Sequence, residues 1–230
     1  MCSSSQDRGE RGWRRQWGRL REWSVIGLDL GQSQDYTALS VLCVLPQLND
    51  KSSMQCAHLE RFKLGTPYPR IVDSVLRLTQ RPELGGQWHL VIDGTGVGKA
   101  VTDLFKDGLG SQKSRLTAVT ITAGNAVTGG RSNCGVPKRD LVTTLLVLLE
   151  SGRLVFADLP EMAQLSAEML DFRVKITTSG NAIWGSWREG SHDDLVLAVA
   201  MAAWYAERQG RRSSWGGRAW GDRVGRSFQG

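Results

Sequence analysis

The four cysteines of this chain, Cys2, Cys43, Cys56 and Cys134, form no CxxC pair and no zinc-type spacing. Cys43 and Cys56 lie in apolar runs that read as strands, where a free cysteine acts as a small hydrophobe. That usage points to a reducing, cytoplasmic setting. No apolar run approaches the roughly 18 residues of a membrane span, so no membrane partner is expected. The N-terminus lacks the apolar h-region of a signal peptide. Internal repeats are also missing.

What is present is ordinary in amount and uneven in placement. The 230 residues are 40% hydrophobic and 23% charged, with a net charge of +6. That composition fits one domain with a full-sized core plus tails. Residues 1–23 carry a net +3 and residues 207–230 a net +4, whereas 24–206 carries −1. The basic excess therefore lies in two Arg/Trp-containing ends. Residues 1–23 read as a flexible basic leader, 24–207 as the folded domain and 208–230 as a disordered basic tail. Trp13, Trp17 and Leu20 share one face of a short helix, should the leader dock on a partner.

The pattern within 24–207 is that of an α/β domain. Val25–Gly31 is an apolar run with Asp29 inside it, and after a polar turn a second apolar run follows from Tyr36 to Leu45. With a third strand near Met54–Leu64, these form an antiparallel meander. A helical stripe spans Arg70–Gln80. A buried strand from Trp88 to Gly94, a helix over Val97–Lys106 and a strand over Arg115–Thr122 make a parallel βαβ unit. A Gly- and Asn-rich loop covers 123–136, followed by a helix from Pro137 to Glu150 and a short strand at Arg153–Ala157. Another helix spans Pro160–Phe172, a hairpin 174–187, and a final apolar helix His192–Glu207.

Three acidic positions stand out. Asp29 and Asp93 each close an apolar strand just before a glycine, where strand ends of an open α/β sheet face a ligand crevice. If the first and fourth strands are neighbours, the two carboxylates meet and repel. A hard divalent cation, Mg²⁺ or Mn²⁺, resolves that conflict. The third position is His192-Asp193-Asp194 at the head of the apolar helix. N-capping explains one of those aspartates, and two in succession call for more. Gly94-Thr95-Gly96-Val97-Gly98-Lys99-Ala100 looks like a phosphate-binding P-loop, but Asp93 stands at its first glycine position and Ala100 at its Ser/Thr position.

The order GLDLG…DYTALSVL, VIDGTG, PKRDLV…LLESGRL, HDDLVLAVAMAAW resembles the nuclease domain of phage terminase large subunits, within the RNase H-like superfamily that includes RuvC-type resolvases. The resemblance covers about residues 24–206, with the Asp-Asp helix its most specific part. It implies an RNase H-like fold whose mixed central sheet, a meander plus parallel strands, is flanked by helices. It also implies a metal-dependent endonuclease that cuts concatemeric viral DNA during packaging. Asp29, Asp93 and Asp194 would be catalytic, with Asp193 a further ligand for two Mg²⁺ or Mn²⁺ ions about 4 Å apart. Gly94, Gly96, Lys138, Arg139 and His192 are candidate DNA contacts. A tight turn for the glycines, solvated charge for Lys138 and Arg139, and capping for His192 are the structural alternatives. Double-stranded DNA is the expected partner, with a packaging ATPase domain, a small terminase subunit or a portal as further ones. The host cell cytoplasm is the expected location.

Such motors also carry an N-terminal ATPase domain, for which these residues hold no counterpart, so the chain reads as an excised domain, a separate gene product or a relic. A RuvC-like, structure-selective nuclease is the nearest enzymatic alternative, and a non-catalytic DNA-binding or assembly module the other. The GLDLG strand also resembles the first phosphate loop of actin- and Hsp70-like ATPases, whose two halves 230 residues do not accommodate.

Overall fold

A computed structural model describes residues 23–31, 35–45, 52–176, 182–186 and 192–215. The leader, the last fifteen residues and the tip of the 174–187 hairpin lie outside them. Strands β1 (Trp23–Asp29), β2 (Ala38–Leu45) and β3 (Ser53–Arg61) form the expected meander. Helix α1 (Tyr68–Thr79) leads to β4 (Trp88–Asp93), α2 (Gly98–Leu109) and β5 (Leu116–Thr122). Within the segment read as a loop, β6 (Thr128–Gly129) and β7 (Asn133–Pro137) extend the sheet instead. β7 pairs with β5 in parallel and inserts Cys134 and Val136 into the core. Helix α3 (Lys138–Glu150), strand β8 (Leu154–Phe156), helix α4 (Met162–Asp171), the hairpin β9 (Phe172–Ile176) and β10 (Ala182–Ser186), and helix α5 (Asp194–Trp215) complete the chain. α5 runs on past Glu207, where its apolar pattern fades.

The eight-stranded sheet has the order β6-β7-β5-β4-β1-β2-β3-β8. β4 joins β1 in parallel, with Leu28 opposite Ile92. The next residue in each strand is an acid, so Asp29 and Asp93 stand side by side. Alternation along the strands does the rest. Ile26, Leu28, Leu90 and Ile92 face one core layer, closed by α1 and α2. Val25 and Val91 face the other, closed by α3, α4 and α5. Asp29 and Asp93 share the α5 side with those valines.

α5 is buried along most of its length, from Leu195 to Ala206. It lies so close to β1 that a Cβ on Gly27 would sit 2.0 Å from the Ala198 carbonyl oxygen. The Ser40 hydroxyl donates to that same oxygen at 2.9 Å. This close approach fixes the helix along β1, with its N-terminus at the Asp29 end.

Candidate functional site

Asp29, Asp93 and Asp194 are 7%, 9% and 5% exposed, although all three are carboxylates. Such burial is costly unless charge is compensated. Asp29 has its proton affinity raised well above the usual range, first by burial and then by Asp93, Asp194 and Asp193, while Lys138 opposes the rise. Burial also raises Asp93, against the hydrogen bonds from Thr95. The Thr95 amide donates to Asp93 Oδ1 at 2.8 Å, and the Thr95 hydroxyl accepts from the Ile121 amide at 3.1 Å. Thr95 thereby ties the acid of β4 to β5. Asp194 is pushed up to about 6 by burial, in spite of Arg61 and His192 nearby.

Two cations reach into this cluster. Lys138, the first residue of α3, places Nζ 2.6 Å from Asp193 Oδ2. Arg61, the last residue of β3, places Nη2 3.1 Å from Asp194 Oδ2 and pairs through the same nitrogen with Glu168 Oε1. Glu168 is 3% exposed, and its Oε2 accepts from the Leu195 and Val196 amides at 2.9 and 3.2 Å. The free N–H groups that open α5 are therefore satisfied by α4, which leaves Asp194 to face Arg61. Burial raises Glu168 to about 7 even with Arg61 and these amides favouring its charged form.

The sequence pattern points to neither Arg61 nor Glu168 as a site residue. The available signal was Glu168 three residues after Leu165, on the buried face of an amphipathic helix.

The remaining candidates fall into separate places. His192 Nδ1 lies 3.9 Å from Asp35 and 4.0 Å from Asp194, with its ring edge-on to Tyr36. Gly96 adopts φ 57° in the turn after Asp93, and a Cβ on Gly98 would meet the Asp93 carbonyl oxygen at 2.1 Å. Gly94 is set by β-type pairing, its amide donating to the Val119 carbonyl at 2.8 Å. These glycines allow a tight βα turn beneath the acids. Arg139 points elsewhere: it donates to Asn125 Oδ1 and O at 2.9 and 2.7 Å, on the 123–136 segment.

The donor set, all carboxylate oxygen, suits a hard divalent cation. Among the described residues no three Asp, Glu, His or Cys side chains are already drawn together as a ligand cluster. Asp193 and Asp194 are instead turned onto Lys138 and Arg61. The buried acids thus carry mutual repulsion that the two cations relieve only in part.

Residues 26–205 match the family model of the terminase RNaseH-like domain. This chain belongs to that family. The large terminase subunit of Thermus phage G20c is 29% identical over 186 residues, which are 81% of this chain and 32% of that protein. The chain thus spans about a third of the length of that relative. A crystal structure of the large terminase nuclease from phage G20c with bound magnesium is similar at 28% identity and TM-score 0.50, over 79% of this chain and 80% of that one. The nuclease domain of the large terminase subunit of bacterial virus Sf6 shares the fold, with TM-score 0.58 at 15% identity over 84% and 92% of the two chains. The RNase H-like architecture expected from the motifs is the one observed. No helix among the described residues is long and apolar enough to cross a membrane.

Proposed function

We propose that this terminase-type nuclease domain cuts double-stranded DNA by metal-dependent phosphodiester hydrolysis during genome packaging. The reading rests on one observation above the others. Three buried carboxylates from β1, β4 and α5 are brought to one end of the sheet, where they repel one another. The magnesium-bound G20c nuclease supports the choice of cation, since its sequence and fold are similar. Asp29, at the centre of the cluster, would serve both cations. Asp93 and Asp194 would each complete one side, with Asp193 a further ligand once released from Lys138.

Bound divalent cations would supply Lewis acidity at the scissile phosphate, lowering the pKa of the attacking water and offsetting charge on the leaving 3′ oxygen. The chain's own residues prepare that chemistry. Thr95 fixes the Asp93 carboxylate through a backbone amide. The buried strands beneath Asp29 exclude water from one side of the cluster. Lys138, 24% exposed at its side chain, stands at the mouth, where a phosphate oxygen can replace Asp193 as its partner. In-line attack leaves a 5′ phosphate. Gly94, Gly96, Arg139 and His192 are assigned to the DNA approach. A packaging ATPase, a small terminase subunit and a portal are the proposed partners.

Plasmid nicking tests this reading. Relaxation of supercoiled DNA is expected with Mg²⁺ or Mn²⁺ and not with EDTA. Asp29→Ala and Asp194→Ala are expected to abolish it. Retained cleavage in either variant would remove the metal site from the mechanism. Preference for a four-way junction over linear duplex would favour a resolvase-like activity instead.

A further inference from the structure

Arg61 holds Asp194 at 3.1 Å, closer than the His192 ring at 4.0 Å, and it has a second acidic partner. Its Nη2 is shared between Asp194 Oδ2 and Glu168 Oε1. Its Nε is buried with no hydrogen-bond partner among the described residues. The guanidinium rests against the Tyr36 ring, 4.5 Å from the ring centre. Both of its ion pairs therefore pass through a single nitrogen, for which the two carboxylates compete. Glu168 is the better-fixed competitor, because its other oxygen is held by the Leu195 and Val196 amides. A cation confined to Asp194 alone would neutralise the carboxylate needed for metal.

We propose that Glu168 is a positioning residue that takes part of the charge of Arg61 from Asp194, so that a divalent cation can displace the guanidinium from that carboxylate. The inference rests on the metal-site reading above. It assigns Glu168 no contact with substrate. Its role combines capping α5, which sets where Asp194 stands, with dividing the charge of Arg61. Glutamine separates the two functions, since its carbonyl oxygen can still accept from the amides while its neutral head no longer competes for the guanidinium.

The test is Mn²⁺ binding by the whole 230-residue chain, read from loss of the free-ion EPR signal, with thermal unfolding of each variant alongside. Glu168→Gln is expected to weaken Mn²⁺ binding roughly tenfold, as Arg61 collapses onto Asp194. Arg61→Gln is expected to bind Mn²⁺ at least as tightly as the parent. The double variant Arg61→Gln/Glu168→Gln is expected to regain the parent affinity, a rescue that a purely structural role for Glu168 does not produce. Weaker binding by Arg61→Gln would show that Arg61 orients Asp194, and would overturn the proposal. So would unchanged binding by Glu168→Gln. If Glu168→Gln does not fold, Arg61→Gln decides the matter alone. Asp29→Asn separates the two levels: if it leaves Mn²⁺ binding intact, the metal-site reading itself fails, whereas its loss alongside unaffected Arg61 and Glu168 variants defeats only this inference.

Discussion

The same two strands, β1 and β4, end very differently. At their C-terminal ends stand Asp29 and Asp93 against the N-terminus of α5. At their N-terminal ends, on the same face, Trp23 and His89 meet Tyr205 from the far part of α5. His89 stacks on Tyr205 with ring centres 4.2 Å apart, and its Nε2 lies 2.9 Å from the Thr117 hydroxyl. Burial lowers His89 to about 4, with Arg115 and Arg131 adding to the effect, so it stays neutral near pH 7. Burial at the aromatic end is thus matched by stacking and neutrality. Burial at the acidic end leaves like charges facing one another. The first arrangement stabilises the fold, and the second, on the proposed function, gives up stability for a site that a cation would complete.

Substitutions at the two ends separate these roles. If the proposed function holds, Asp93→Asn should lower DNA cleavage by on the order of 10³-fold, through loss of one proposed metal ligand. Without metal it should raise the melting temperature by relieving repulsion at Asp29. His89→Phe keeps the stack on Tyr205 and should leave cleavage within about twofold of the parent. A large loss of cleavage in His89→Phe would break the division. Gly27→Ala, midway along the helix–strand contact, should destabilise both ends together by about 1–3 kcal/mol in chemical denaturation, because its Cβ meets the Ala198 carbonyl.

The pH dependence should have opposite signs at the two ends. Asp194 and Glu168 have folded pKa values raised to about 6 and 7. Their contribution in metal-free protein is fully present below the ordinary carboxylate range and is lost as pH rises through those values. His89 is lowered from 6.5 to about 4, so its contribution is present above 6.5 and lost as pH falls towards 4. Melting curves without metal should therefore decline on both sides. His89→Phe should flatten the acid side, and Glu168→Gln the neutral-to-alkaline side. Mg²⁺ should raise the melting temperature more at pH 8 than at pH 5, because protonated carboxylates bind it poorly. The smallest effect is expected at Arg139, which is tied to Asn125 away from the acids. Arg139→Ala should weaken DNA binding only a few-fold and lower the salt slope by about one.

The acids were legible because each interrupts a pattern: a charge inside an apolar strand, or a pair of charges opening an apolar helix. The order of elements allowed β1 and β4 to be neighbours without requiring it, and their parallel pairing in the sheet supplies the contact. β6 and β7 were not legible, because they span two and five residues and bury little apolar surface, at Cys134, Val136 and Pro137. Arg61 and Glu168 are hard to read from the sequence for another reason. Arg61 looks like an ordinary charge closing β3, and Glu168 departs from that pattern only by lying three residues after Leu165 on the buried face of α4. Lys138 was legible as a candidate DNA contact but not as a partner of Asp193, since nothing along the chain announces that α3 begins beside that acid.

Anomalous diffraction from a crystal of this chain grown in Mn²⁺ addresses the proposed metal centre directly. The expected result is two peaks at the end of β1, sharing Asp29, with Asp93 beside one and Asp194 beside the other. Absence of a peak within ligand distance of Asp29 at neutral pH, with the fold intact, would contradict the assignment of these buried acids to a metal centre.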